Sequence, residues 1–274
     1  MHLTSLLNAA SLLVAGCFIL PFSVADVAVR PIPSIPALGN LHDLAGLSEL
    51  PPAVCPTVRS CQPTAVLHRC CSPVNGRLVL AQQWTPKLGR ADQFTIHGLW
   101  PNTCTDGMTG KHGCDAKRNY PKIGEIIQKA DPMLFNHMQM SWPSDRGDSP
   151  AFWQHEWEKH GTCLSTVEPA CQKNAAPYSD VVSYFRMVLG LHRTYDVYAA
   201  LKTAGIVPNG TYKRADMEMA LNKAWNVRAI LRCSGRRLKE VRLWFHMQGT
   251  DQFVPTSPLH ASSSCGESVE YPAK

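Results

Sequence analysis

The sequence predicts a disulfide-rich α+β domain, and three observations carry that prediction. Stretches with strand alternation and stretches with helical periodicity both occur, but they do not alternate regularly as a doubly wound parallel sheet requires. The chain has 274 residues, 45% of them hydrophobic, and no long low-complexity segment divides it, so one sizeable core is expected. Of its 11 cysteines, Cys17 falls in an N-terminal leader. The remaining ten are an even number, which suits a fully paired framework in an oxidising compartment.

The leader, residues 1–25, contains no Lys, Arg, Asp or Glu and reads as a signal peptide with cleavage after the small residues of "FSVA". Asn8, Ser11 and Pro21 interrupt its apolar run and no basic stop-transfer flank comes after it, which argues against a membrane anchor. An extracellular or vacuolar, lysosome-like location is expected, with no membrane association after cleavage. Residues 26–50 are Pro-rich and cysteine-free, and read as a propeptide or flexible N-terminal arm before a domain at 51–274. The net charge is +6 and the pI about 8.8, a modest pointer to a polyanionic partner. Arg236, Arg237, Lys239 and Arg242 form the densest basic run and read as a solvated surface.

Along the chain, "RLVLAQQW" (77–84) reads as a strand, and "QFTIHGLW" (93–100) alternates with Phe94 and Ile96 on one face and Thr95 and His97 on the other. Helical patterns occupy 122–130, 179–191 and 214–225, with Ser179 and Thr211 placed as N-caps. Gly205 with Pro208 after it reads as a helix stop. "VRLWFH" (241–246) alternates as a further strand. "NGT" at Asn209 is a glycosylation sequon.

The stretch "FWQHEWEKHGTC" (152–163) concentrates titratable groups. As a zinc site it is poor, because His155 and His160 stand at i and i+5 and diverge by about 140° on a helix. As a solvated face it would be laced with pairs such as Glu156–His160. Yet Trp153 and Trp157 mark the opposite face as buried, Gly161 could end the helix in a left-handed turn, and Cys163 could pin the chain just beyond that turn. The third reading is acid–base chemistry. Two imidazoles can exchange protons near neutrality, and Lys159 can neutralise charge on a phosphorane. His97 would supply the second imidazole from a separate strand. Cleavage of RNA through the ribose 2′-hydroxyl fits these groups and calls for no metal or other cofactor.

With both segments read, the sequence resembles the T2 family of secreted, largely base-non-specific ribonucleases, in "FTIHGLWP" (94–101) and "HEWEKHGTC" (155–163). The resemblance spans roughly residues 55 to 271 and its cysteine pattern is of the fungal type. It implies a central antiparallel β-sheet with packed α-helices. It implies an endoribonuclease acting on single-stranded RNA, yielding 2′,3′-cyclic phosphates and then 3′-phosphates. A monomer is the default expectation, independent of the resemblance. His160 matches the general base, His97 the general acid, Glu156 and Lys159 the stabilisers of the transition state, and His155 a phosphate contact. Trp100 matches the ring on which the first base stacks. The family's base-binding aspartate is replaced by Asn102, and a sandwiching tyrosine near Met108 is missing, so no base preference carries over. Gln83, Pro143, Ser144 and Phe152 match the second-base site, with Asp145 and Arg146 standing where amides are usual. The resemblance also implies the pairs Cys55–Cys71, Cys61–Cys104, Cys70–Cys171, Cys114–Cys163 and Cys233–Cys265. The competing expectations are a catalytically silent secreted homologue acting by binding or toxicity, and a zinc hydrolase.

Overall fold

The computed structural model describes residues 55–62 and 68–274. The leader, the N-terminal arm and the expected domain start near Pro51 lie outside the described residues. β1 (Arg77–Gln83) is a central strand, and its near-continuous apolar run is buried from Leu78 to Gln82. It pairs antiparallel with β2 (Thr95–Asn102) on one side and with β5 (Arg237–Gln248) on the other. β5, 12 residues long, also carries β4 (Ile230–Ser234) beside its first half and β6 (Gln252–Thr256) beside its second. β7 (Ser268–Tyr271) joins at its start, and β3 (Gly210–Lys213) pairs with β7. The main order is β2-β1-β5-β7-β3, antiparallel throughout except for the short parallel contact of β5 with β7.

Among the described residues six α-helices pack with the sheet: α1 (Ile123–Ala130), α2 (Pro132–Ser141), α3 (Ser149–Lys159), α4 (Ser179–Thr194), α5 (Val197–Thr203) and α6 (Arg214–Trp225). Asp131, Asp148 and Asp196 cap α2, α3 and α5, each accepting a backbone N–H three residues on. Ser179 and Thr211 are not caps. α4 starts after Tyr178 in left-handed conformation, with Ser179 already helical. Thr211 is drawn into β3 by pairing with Glu270, and α6 begins only after Lys213. Gly205, at φ +77°, comes after α5 as a stop should.

One face of the sheet supplies the core. Leu78 and Leu80 of β1, Ile96 and Leu99 of β2, and Leu243 and Phe245 of β5 share a buried cluster with Trp153, Trp157, Tyr184 and Phe185 of the helices. Several buried aromatic side chains find backbone acceptors for their polar ends, although Trp244 Nε1 and Tyr271 Oη have none among the described residues. Trp142 Nε1 donates to the His97 carbonyl at 3.0 Å, Trp153 Nε1 to the Trp142 carbonyl at 2.8 Å, and Tyr184 Oη to the Leu99 carbonyl at 2.9 Å. The helix layer is therefore stitched to the backbone of β2 around His97. On the opposite face Val79, Ile230 and Trp244 form a small separate cluster, with Trp100 against it. All five expected disulfides are formed. Among the described residues no helix is long and apolar enough to cross a membrane.

Candidate active site

Two elements supply the candidate residues, of which His97, His155 and Glu156 line a common cleft and Trp100, Lys159 and His160 lie outside its lining. β2 offers His97 and Trp100, and α3 offers His155, Glu156 and Lys159, with His160 at its C-terminal cap. Gly161 does not adopt the expected left-handed turn. It opens a tight 3₁₀ turn, Gly161–Cys163, and its missing side chain matters for space: a Cβ there would lie 2.3 Å from Cε3 of Trp157. The Cys114–Cys163 bond and a hydrogen bond from Arg118 Nη2 to the Thr162 carbonyl, 2.5 Å, fix this turn.

Glu156 is 1% exposed and does not pair with His160 as a solvated helix would have it. Its Oε2 accepts the Trp100 indole N–H at 3.0 Å. Burial raises its pKa to about 7, against the opposing pull of charged His97, the Trp100 hydrogen bond and Lys159. The two catalytic candidates move in opposite directions. Burial, helped by the charges of Lys159, His155 and His97, lowers His160 to about 3, and its Nδ1 is buried with no partner among the described residues. For His97, burial also favours the neutral form, but the Glu240 carboxylate outweighs it and the net pKa is raised. His155 is exposed, and partial desolvation together with the Lys159 charge lowers it.

Aromatic packing links these groups. The His97 ring meets Trp100 edge-on at 5.0 Å between centroids and lies 5.8 Å from Phe152. The His160 ring lies 5.4 Å from Trp100. A cleft of about 550 Å³ gathers Gln83, His97, Ser144, Phe152, His155 and Glu156, with Asp145 and Arg146 on its wall. Among the described residues no group of three or more His, Cys, Asp or Glu side chains is arranged to hold a metal ion.

The pattern of the Ribonuclease T2 family matches residues 52–260 of the chain. This chain belongs to the ribonuclease T2 family. It is 40% identical over 218 residues to ribonuclease Rh of Rhizopus niveus, covering 80% of this chain and 91% of that protein. It is 37% identical over 248 residues to ribonuclease T2 of Aspergillus oryzae, covering 86% and 89% respectively. Among solved structures it superposes on Actibind, described as a T2 ribonuclease, with a TM-score of 0.75, 34% identity and coverage of 80% and 96%. As a member of the T2 family the chain is an RNA endonuclease.

The residues nominated from the T2 resemblance for base binding are brought together unevenly. Gln83, Ser144 and Phe152 line the cleft, whereas Pro143 does not. Asn102 ends β2, and its amide donates to the Asp106 carbonyl at 3.3 Å. Met108 is bridged to Asn102 through the backbone and is 88% exposed. Two site residues were missed in the sequence. Glu240 of β5 bonds His97 at 2.5 Å, and Arg242 bonds Glu240 at 2.5 Å while lying 4.9 Å over the Trp100 ring. Arg242 is thus not part of a solvated basic run; its strand parity places it on the site face, whereas Arg236, Arg237 and Lys239 are exposed. The signal was present in "KEVRLWFH", where Glu240, Arg242 and His246 share one parity against Val241, Leu243 and Phe245.

Proposed function

We propose that this T2-family chain is an exported, monomeric endoribonuclease that cleaves single-stranded RNA by transesterification, using protein side chains alone. His160 removes the proton of the ribose 2′-hydroxyl, whose oxygen attacks the adjacent phosphorus. Lys159 and protonated Glu156 stabilise the charge on the phosphorane oxygens. His97 gives its proton to the departing 5′-oxygen as the P–O5′ bond breaks. The product is a 2′,3′-cyclic phosphate, which water opens to a 3′-phosphate with the two histidines exchanging roles. Trp100 would stack the base before the scissile bond and Phe152 the base after it, while His155 contacts phosphate.

The observation that supports this reading is the opposite poise of two imidazoles around one indole. His160 is held neutral, as a base must be, and His97 is held charged, as an acid must be. Glu156, kept protonated to about pH 7, can donate to a non-bridging oxygen. Asn209, exposed at the turn before β3, is positioned to accept a glycan in a secretory compartment. The test is cleavage of a dinucleoside monophosphate monitored by ³¹P NMR, with and without chelator. Cyclic phosphate should accumulate first, chelator should have no effect, and His97→Ala and His160→Ala should each abolish turnover. Full activity in either variant, or direct formation of the 3′-phosphate, refutes the scheme.

A further inference from the structure

The structure assigns Glu240 a role as the positioning residue of His97, with Arg242 setting its orientation. The assignment rests on the reading of His97 as general acid. Glu240 lies on β5 and His97 on β2, with β1 between them. Two strand spacings, about 9–10 Å, must therefore be bridged by the two side chains alone. The register makes this possible: Gln83 of β1 faces both Thr95 and Glu240, so Glu240 stands close to the row of His97. The Glu240 side chain is 9% exposed and both of its oxygens are used. Oε2 meets His97 Nδ1 at 2.5 Å, and Oε1 accepts from Arg242 Nε at 2.5 Å.

Acceptor and donor identity dictate the chemistry. An ionised carboxylate only accepts, so Nδ1 of His97 carries a proton and Nε2 is the nitrogen left to serve the leaving oxygen. The His97 and Arg242 contacts outweigh the cost of burying Glu240 and keep it ionised below the ordinary carboxylate range. The other groups facing His97 do not substitute for it. Arg242 and His155 are cationic or potentially so, His160 is neutral, and Glu156 holds its proton to about pH 7. Arg242 in turn lies over Trp100, so the guanidinium that orients Glu240 is braced on the ring proposed to hold the first base.

The experiment is Glu240→Gln in the full chain. The amide keeps the length and an acceptor oxygen but loses the charge. Side-chain ¹⁵N NMR should show the His97 pKa falling by about one unit or more. The high-pH limb of kcat on a dinucleoside monophosphate should move down equally, costing about tenfold per unit above it, with KM retained. A uridine 3′-(4-nitrophenyl phosphate), whose leaving group needs no proton, should be cleaved at nearly the parental rate. Glu240→Asp keeps the charge but is one methylene short, and should show a smaller pKa fall with the same substrate pattern. An unchanged His97 pKa in a folded Glu240→Gln protein overturns the positioning role. A lowered pKa with equal losses on both substrates refutes His97 as the acid, and the catalytic meaning of the Glu240 contact with it.

Discussion

Glu156→Gln should make the protein more stable and less active, and the size of the effect can be worked from burial. Glu156 is 1% exposed, and its pKa stands at about 7 where 4.5 is usual. The folded state therefore binds this proton more tightly than the unfolded chain does. Stability from this group is fully present below pH 4.5 and is lost as pH rises toward 7. The difference is worth about 3 kcal/mol at pH 8. Glutamine keeps an oxygen to accept the Trp100 N–H and never ionises. The variant should match the parent in urea denaturation at pH 4 and exceed it by about 3 kcal/mol at pH 8, a rise in Tm of roughly 6–12 °C for a chain of this size. Its RNA cleavage should fall about 10²-fold, because the proton that the carboxyl gives to the phosphorane is gone. A stability difference that is the same at both pH values would refute the account of a carboxyl buried against its own charge.

Gly98→Ala should disable the site from the backbone, since its Cβ would lie 1.9 Å from Glu156 Oε2 and 2.6 Å from Trp100 Nε1. Thermal melts should show a loss of about 1–3 kcal/mol with cleavage strongly reduced; parental cleavage would contradict the packing argument. The pH–rate profile should show an acid limb near pH 3, where His160 takes a proton, and a basic limb above pH 6.5, where Glu156, near pH 7, and raised His97 each lose one. A rate still climbing at pH 9 would be incompatible with those signs. Met108→Tyr, at a position 88% exposed, should leave folding unchanged and strengthen binding of the first base by about 1–3 kcal/mol, read from KM across the four dinucleotide series.

The fold was legible where side-chain period and burial agree. β1, α1, α4 and α6 came from their apolar spacing within a few residues of their ends. α2 was missed although Asp131–Pro132 is a strong helix start, because its apolar face is weakly patterned and Met133 and Met140 point outward. The short strands β3, β4, β6 and β7 depend on pairing with partners far along the chain, which local propensity does not report. The site was legible where both motifs are contiguous. Glu240 escaped because it joins His97 from 143 residues away, by a contact that exists only once β5 is laid beside β1.

The motif "HGLW" shows why contiguity alone does not explain the geometry. His97 and Trp100 pack edge-on at 5.0 Å between ring centroids, yet they are three residues apart, and a regular strand would send them to opposite faces. Between Ala81 and Gln82 of β1 the register slips, so Ala81 faces Gly98 and Gln82 faces Ile96, leaving His97 as the extra residue of a bulge. The phase of β2 inverts across it. Ile96 and Leu99 both reach the core, and His97, Gly98 and Trp100 all turn to the site. Gly98 is then required by close approach rather than by backbone conformation, because Glu156 Oε2 and Trp100 Nε1 fill the space its side chain would take. One inserted residue thus places the proposed acid, His97, beside the ring proposed to stack the base, and the glycine next to it lets the Glu156 carboxyl of α3 close against Trp100.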